Sequence, residues 1–351
     1  MKKFTVIFLI ITSVIIFSYT TIDRVEAQYT VSKGEAVIDV DSGRVLYSYN
    51  ENEKLPMAST TKIITAITVI ENADINKVIE VTSKTTGTEG SSVYLKVGDR
   101  FTIKDLLYGL MLRSGNDCAE TLAVEVSGDI ESFCELMRCT AEKCGACNSS
   151  FKNPHGLPAA EHYTTALDLC RITAYALKNP IFSEIVSTKV YTAEELTHGE
   201  KRVWHNKNKL LFRFDGADGV KTGYTKEAGR CFVGSATKNG MRIVAAVLDS
   251  PQMFERSEEL LTEAFNKYKT IKIVDSDRFD YVLLSPEKDK SYKLRIKDSF
   301  SYPVSTEDKI KVIQELPDNL SGNVKNGQIV GKIKIYCSKQ LIFSQDIYTL
   351  I

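Results

Sequence analysis

Strand-type and helix-type patterning occupy separate stretches of this chain, and the order of those stretches limits its fold more than any other feature. Residues 36–47 alternate apolar and polar side chains about a turn at Asp41-Ser42-Gly43, which predicts two strands. Strand character returns only at Val220, and residues 231–236 and 242–248 then predict a hairpin turning at Asn239-Gly240. Between these stretches, from roughly 60 to 185, the chain reads as mostly helical. Ile63, Ala66, Ile67 and Ile70 share one face of a helix running from Ser59 to about Glu71, and Pro56 blocks its extension backwards. Two further helices, at 104–112 and 117–126, are predicted on either side of Ser114-Gly115-Asn116. Strands must pair, so the early and late strands are expected to share one sheet, with a last helix near 254–268 packed on it. The expected class is α+β: an antiparallel sheet flanked by helices, with a helical insert.

Beyond about residue 271 the pattern changes to short alternating segments, such as 332–336, with a turn at Asn326-Gly327 and a final strand at the C-terminus. A separate all-β domain over 271–351 is therefore expected, behind a main domain over 28–270. Two domains also suit a length of 351 residues, which exceeds what one core usually supports. The first 27 residues read as an export signal: Lys2 and Lys3, an apolar run over 4–19, and a cleavage site after Val25-Glu26-Ala27. Membrane contact is expected only if this segment stays uncut. Either way the rest of the chain is expected to work outside the cytoplasm. Lys+Arg and Asp+Glu both number 45, so no net field attracts nucleic acid, and none is expected as a partner.

Eight cysteines in an exported chain ordinarily suggest disulfides. Here Cys134, Cys139, Cys144 and Cys147 crowd into a helical segment where Phe133, Met137, Ala141 and Cys144 share a face. Cys144 is then a small core residue and Cys139 points away. The Cys144-Gly145-Ala146-Cys147 spacing also fits half of a zinc site, but no second well-spaced pair or histidine partner follows, so no metal is expected.

Chemistry concentrates in three short segments: Ser59-Thr60-Thr61-Lys62, Ser114-Gly115-Asn116 and Lys221-Thr222-Gly223. Residues three apart on a helix are neighbours, so Lys62 lies within reach of Ser59. A serine hydroxyl is a weak nucleophile and needs a base, which a lysine supplies only when its amine is neutral. Burial or a nearby cation such as Lys221 would lower its pKa. At a helix start, the Ser59 N–H is also unpaired and suited to stabilising an oxyanion. Each segment alone has an ordinary reading as a helix start, a turn or a strand edge. Their order, on a helix, between helices and on a strand, matches the signature set of penicillin-binding proteins and class A β-lactamases.

With Pro56-Met57-Ala58, residues 89–95, 151–157 and 162–169, and Asp218-Gly219-Val220 included, the chain resembles the low-molecular-mass penicillin-binding proteins, serine-type D-alanyl-D-alanine carboxypeptidases. That resemblance implies a penicillin-reactive enzyme acting on peptidoglycan stem peptides, with β-lactams as acylating inhibitors and no cofactor. It implies that Ser59 attacks the penultimate D-alanine carbonyl, Lys62 takes its proton, and Ser114 relays a proton to the leaving D-alanine. Asn116 would hold the peptide amide, Lys221 would set the potential, and Thr222, followed by Gly223, would bind the terminal carboxylate. The N–H groups of Ser59 and Tyr224 would form the oxyanion hole, and Arg256 would help fix the carboxylate. His155 and His162 fall in a loop near the cleft and read as packing; His198 and His205 read as surface residues, and Trp204 as packing. A β-lactamase is the rival enzyme reading, weakened because no Glu-x-x-Leu-Asn segment lies between Asn116 and Lys221. A wall-bound protein without turnover is the non-enzymatic alternative.

Overall fold

The computed structural model describes residues 32–286 and 289–350, so the expected export signal lies outside the described residues. Strands β1 (Gly34–Asp39) and β2 (Val45–Tyr49) form the first hairpin, closed where Asp39 accepts bonds from the Ser42 N–H and hydroxyl and Gly43 takes φ +69°. The chain then enters helix α1 (Lys62–Asn72), whose residues from Lys62 to Ile70 are all buried. A helix buried on every side belongs at the centre of a domain, and α1 runs through the middle of the helical insert.

A short ladder of β3 (Val78–Glu80) and β4 (Arg100–Thr102) leads into α2 (Ile103–Tyr108), which Thr102 and Asp105 cap reciprocally. A single π-turn, Gly109–Arg113, separates α2 from α3 (Asn116–Ser127). Next come α4 (Ile130–Lys143), α5 (Ala166–Leu177) and α6 (Pro180–Ser187), capped by Asp129, Thr165 and Asn179 respectively. An unforeseen hairpin follows, β5 (Val190–Glu194) with β6 (Lys201–His205); its buried Trp204 lies beside Tyr191 of β5 and packs against Phe101 of β4.

After the single turn α7 (Leu210–Arg213), strands β7 (Ala217–Thr225), β8 (Gly229–Lys238) and β9 (Met241–Leu248) complete the sheet, and α8 (Met253–Lys267) covers it. The strand order is β2-β1-β9-β8-β7, antiparallel throughout, which joins early and late strands as expected. Asn239 and Gly240, both at positive φ, make the β8–β9 turn. One core lies between the sheet and the helical insert; a second, including Phe232, Leu260 and Leu261, lies under α8. Strand β7 forms one edge of the sheet, beside the residues that open α1.

The C-terminal part is all-β and begins slightly before the expected boundary. Strand β10 (Lys269–Val274) pairs with β13 (Phe300–Val304). Strands β11 (Tyr281–Leu284), β12 (Ser291–Ile296), β14 (Ile310–Glu315), β15 (Ile329–Cys337) and β16 (Gln340–Leu350) form a sheet ordered β11-β12-β16-β15-β14 around its own small core. Arg44 ties the two parts together. It lies between the rings of Tyr268 and Tyr302 and holds Asp308 through two bonds of 2.9 and 2.8 Å.

All eight cysteines are free thiols; Cys139 and Cys147 are exposed, Cys134 is buried and Cys144 is half-buried against the core. Among the described residues, no helix is long and apolar enough to cross a membrane.

Candidate active site

Ser59 stands on a short 3-10 turn, Ala58–Thr61, that runs directly into α1. In 3-10 geometry residues three apart eclipse one another, which aligns Lys62 with Ser59 more closely than an α-helix would. Lys62 Nζ lies 3.1 Å from Ser59 Oγ, 2.7 Å from Asn116 Oδ1 and 2.7 Å from the carbonyl oxygen of His155. The side chain of Lys62 is 0% exposed, while Ser59 retains access to solvent.

Asn116 comes from the other side of the insert. The chain leaves the π-turn through Ser114 in the left-handed conformation (φ +65°, ψ +33°), which reverses its direction and starts α3 at Asn116. The Asn116 side-chain amide donates to the carbonyl of Glu89 at 2.5 Å, and its backbone N–H donates to Ser91 at 2.7 Å. Those bonds leave Oδ1 facing Lys62. Asp117 fixes the same loop by accepting from the Ser92 hydroxyl and the Val93 and Leu95 N–H groups. Ser114 is 4% exposed, and among the described residues nothing bonds its hydroxyl.

Lys221 is 1% exposed on the edge strand, and its ammonium donates to the Thr222 carbonyl at 2.9 Å. Gly223 is required there because a Cβ would stand 3.0 Å from Ser59 N and 3.1 Å from the Met57 carbonyl oxygen. Both atoms are backbone of the turn carrying Ser59, which would have to shift to admit a side chain, so β7 lies flush against that turn. Thr222 is half-buried, and Tyr224 is 63% exposed at the rim, with Arg230 over its ring at 5.9 Å.

The electrostatics follow from two buried lysines in one site. Burial, and after it the charge of Lys221, holds the Lys62 amine well below its ordinary pKa. Burial, and after it the charge of Lys207, pushes Lys221 down to about 7. A neutral amine carries two N–H groups and one lone pair. Two neighbours of Lys62 Nζ are carbonyl oxygens, which only accept, so they take the N–H groups and the lone pair is left for the Ser59 O–H. This is the geometry of a general base aimed at one hydroxyl.

Arg256 departs from expectation. It belongs to α8, on the far side of the sheet from the insert, and its guanidinium holds buried Glu35 of β1 through bonds of 2.9 and 2.8 Å. A third bond, at 3.1 Å, runs to the Tyr47 hydroxyl. The phase of the helix directs this arginine to the sheet, not to the cleft. Two histidines read as loop packing prove closer to the chemistry. His155 supplies the carbonyl that accepts from Lys62, while its ring meets Glu120 at 3.3 Å. His162 touches Thr61. The recurrence of histidine in residues 151–162 is the only sequence signal that could have marked them. His198 and His205 are exposed, as expected.

A serine paired with a buried, neutral-leaning lysine, where an edge strand and a helical insert meet, defines a class: acyl-transferring serine enzymes that use lysine in place of histidine as base. Residues 22–252 match the family described as D-alanyl-D-alanine carboxypeptidase, and residues 268–350 match the penicillin-binding protein 5 C-terminal domain. The chain belongs to the D-alanyl-D-alanine carboxypeptidase family. It is 34% identical over 316 residues to the D-alanyl-D-alanine carboxypeptidase DacF of Bacillus subtilis, covering 86% of this chain and 80% of that one. With DacC of Escherichia coli it shares 32% over 328 residues, covering 88% and 81%. Among solved structures, penicillin binding protein 5 from Haemophilus influenzae superposes with a TM-score of 0.75 at 26% identity, covering 92% of this chain and 97% of that one. The D-alanyl-D-alanine carboxypeptidase DacD from Francisella tularensis gives 0.70 at 25%, covering 91% and 93%.

Proposed function

We propose that this chain is a serine-type carboxypeptidase that removes the terminal D-alanine from peptidoglycan stem peptides outside the cytoplasm, through an acyl-enzyme on Ser59. The observation that carries this reading is the setting of Lys62 Nζ, with two carbonyl oxygens and the Ser59 hydroxyl as its neighbours. Ser59 Oγ attacks the carbonyl carbon of the penultimate D-alanine as Lys62 takes its proton. Oxyanion charge falls on the N–H groups of Ser59 and Tyr224. The C–N bond then breaks, and the leaving amine takes a proton from the Ser114 hydroxyl, which Lys62 replenishes. Water releases the acyl group and restores Ser59.

Asn116 holds the substrate's amide, and edge strand β7 offers unpaired backbone groups along which an extended peptide can lie. Lys221 and Thr222 receive the terminal carboxylate. Lys207, whose ammonium donates to the Ser91 hydroxyl at 3.3 Å beside the loop that holds Asn116, adds positive charge to the site. β-Lactams carry a carboxylate beside a strained amide and would acylate the same serine.

The test is release of D-alanine from a peptide ending in D-Ala-D-Ala, together with mass spectrometry of the penicillin-treated protein. The expected outcome is one adduct on Ser59 and loss of both signals in Ser59→Ala. Release undiminished by Ser59→Ala would remove Ser59 from the mechanism.

A further inference from the structure

The residue before the nucleophile, Ala58, has φ +47°, a conformation that a residue with a Cβ rarely adopts unaided. Two features hold it there. Gly156 lies so close that a Cβ on it would fall 1.9 Å from the Ala58 carbonyl oxygen. That oxygen also accepts a 2.8 Å bond from the Thr61 hydroxyl.

The Thr61 hydroxyl is in turn 3.0 Å from His162 Nε2, and His162 Nδ1 accepts from the Lys152 N–H at 2.9 Å. A backbone N–H can only donate, so Nδ1 carries no proton and Nε2 does. The direction of each bond is thereby settled: Lys152 N–H to His162, His162 Nε2–H to Thr61, and Thr61 O–H to the Ala58 carbonyl. His162 is 6% exposed and Thr61 0%. Burial, and after it the charge of Lys152, pushes His162 down to about 4, which keeps the ring neutral near pH 7.

The far end of this chain matters because a trans peptide is planar, with its C=O and N–H pointing in opposite directions. Holding the Ala58 oxygen therefore aims the Ser59 N–H. Among the described residues no group accepts from that N–H, and Gly223 of β7 lies beside it.

We propose that His162 and Thr61 are positioning residues for the oxyanion hole, acting through the Ala58–Ser59 peptide plane. The proposal rests on Ser59 being the acylated residue. It predicts an effect on kcat and on the acylation rate, with KM nearly constant, because the hole binds charge that exists only in the transition state.

The experiment compares Thr61→Val with Thr61→Ser and His162→Leu with His162→Gln in the full chain. Serine keeps the hydroxyl, and glutamine can place an amide N–H where Nε2 stands. Acylation by a fluorescent penicillin and steady-state D-alanine release are measured, with thermal melting to establish folding. Removing an oxyanion donor costs roughly 100- to 1,000-fold, so misaiming one is expected to slow acylation and kcat about 10- to 100-fold in Thr61→Val and His162→Leu. KM should stay within about 2-fold, and Thr61→Ser and His162→Gln should recover most of the rate. A folded Thr61→Val with wild-type rates would overturn the proposal, as would equal losses in Thr61→Val and Thr61→Ser. Should the wild-type protein form no adduct on Ser59, the reading of the nucleophile fails instead, and the two failures are told apart by that control.

Discussion

The guanidinium of Arg256 gives buried Glu35 two bonds and the Tyr47 hydroxyl a third. Methionine at this position keeps much of the apolar stem and removes all three. What remains is a carboxylate with 1% exposure and no cation beside it. Breaking a fully buried ion pair costs about 3–5 kcal/mol. The Arg256 side chain is 23% exposed, so water already screens part of the interaction and a loss of about 3 kcal/mol is expected for Arg256→Met. For a domain of this size that corresponds to a fall in Tm of about 6–12 °C.

The same change should leave D-alanine release almost untouched, with KM within about 2-fold of wild type. Removing the buried charge as well, in Glu35→Gln with Arg256→Met, should restore a large part of the lost stability, because the main cost is the orphaned carboxylate. Acidification offers an independent check. Burial alone would raise the pKa of Glu35, but the bonds from Arg256 and its neighbours outweigh it and leave the pKa lowered. The pair's contribution is therefore full above the unfolded-state value of about 4.3 and is lost as pH falls through the lower folded-state value. The Tm gap between wild type and Arg256→Met should close over that acidic range. A KM raised tenfold or more with an unchanged Tm would refute the assignment and return Arg256 to the substrate.

Two further outcomes follow from the buried lysines and the tight strand edge. Acylation by penicillin should rise with pH as Lys62 becomes neutral and decline above about 7 as Lys221 loses the charge that receives the ligand's carboxylate. In Lys221→Gln the basic limb should vanish and the acid limb should move to higher pH, since the like charge that holds Lys62 down is gone; an unmoved acid limb would show that Lys221 does not act on Lys62. Gly223→Ala places a Cβ 3.0 Å from Ser59 N and 3.1 Å from the Met57 carbonyl oxygen and must displace the turn carrying the nucleophile, so acylation should fall at least about 100-fold while stability drops by only about 1–3 kcal/mol, read by penicillin labelling and melting respectively.

The parts of this site that could be read directly from the chain are those set by local spacing. Ser59 and Lys62 are three residues apart, and the 3-10 turn made that adjacency tighter than the α-helix predicted from the same spacing. Asn239-Gly240 and the strands around it were equally legible, because a two-residue turn and period-2 alternation are short-range properties. Arg256 marks where this kind of reading stops. Its place after the last sheet strand was clear, but its direction depends on the phase of α8 against β1, and its partner Glu35 lies 221 residues away.

Backbone acceptors were the harder omission. The carbonyls of His155, Glu89 and Ser91 orient Lys62 and Asn116, yet a carbonyl leaves no trace in residue identity, since every residue has one. Residues 89–91 and 155 matter here for the path their backbone takes. Their side chains act one step removed, as when the His155 ring rests against Glu120. The base therefore owes its neutrality to burial and to Lys221, and its aim to two oxygens: the carbonyl of His155 and Oδ1 of Asn116. A substitution that keeps all three motifs but shifts the 153–157 loop should abolish acylation as surely as loss of Lys62, because the lone pair would no longer face Ser59.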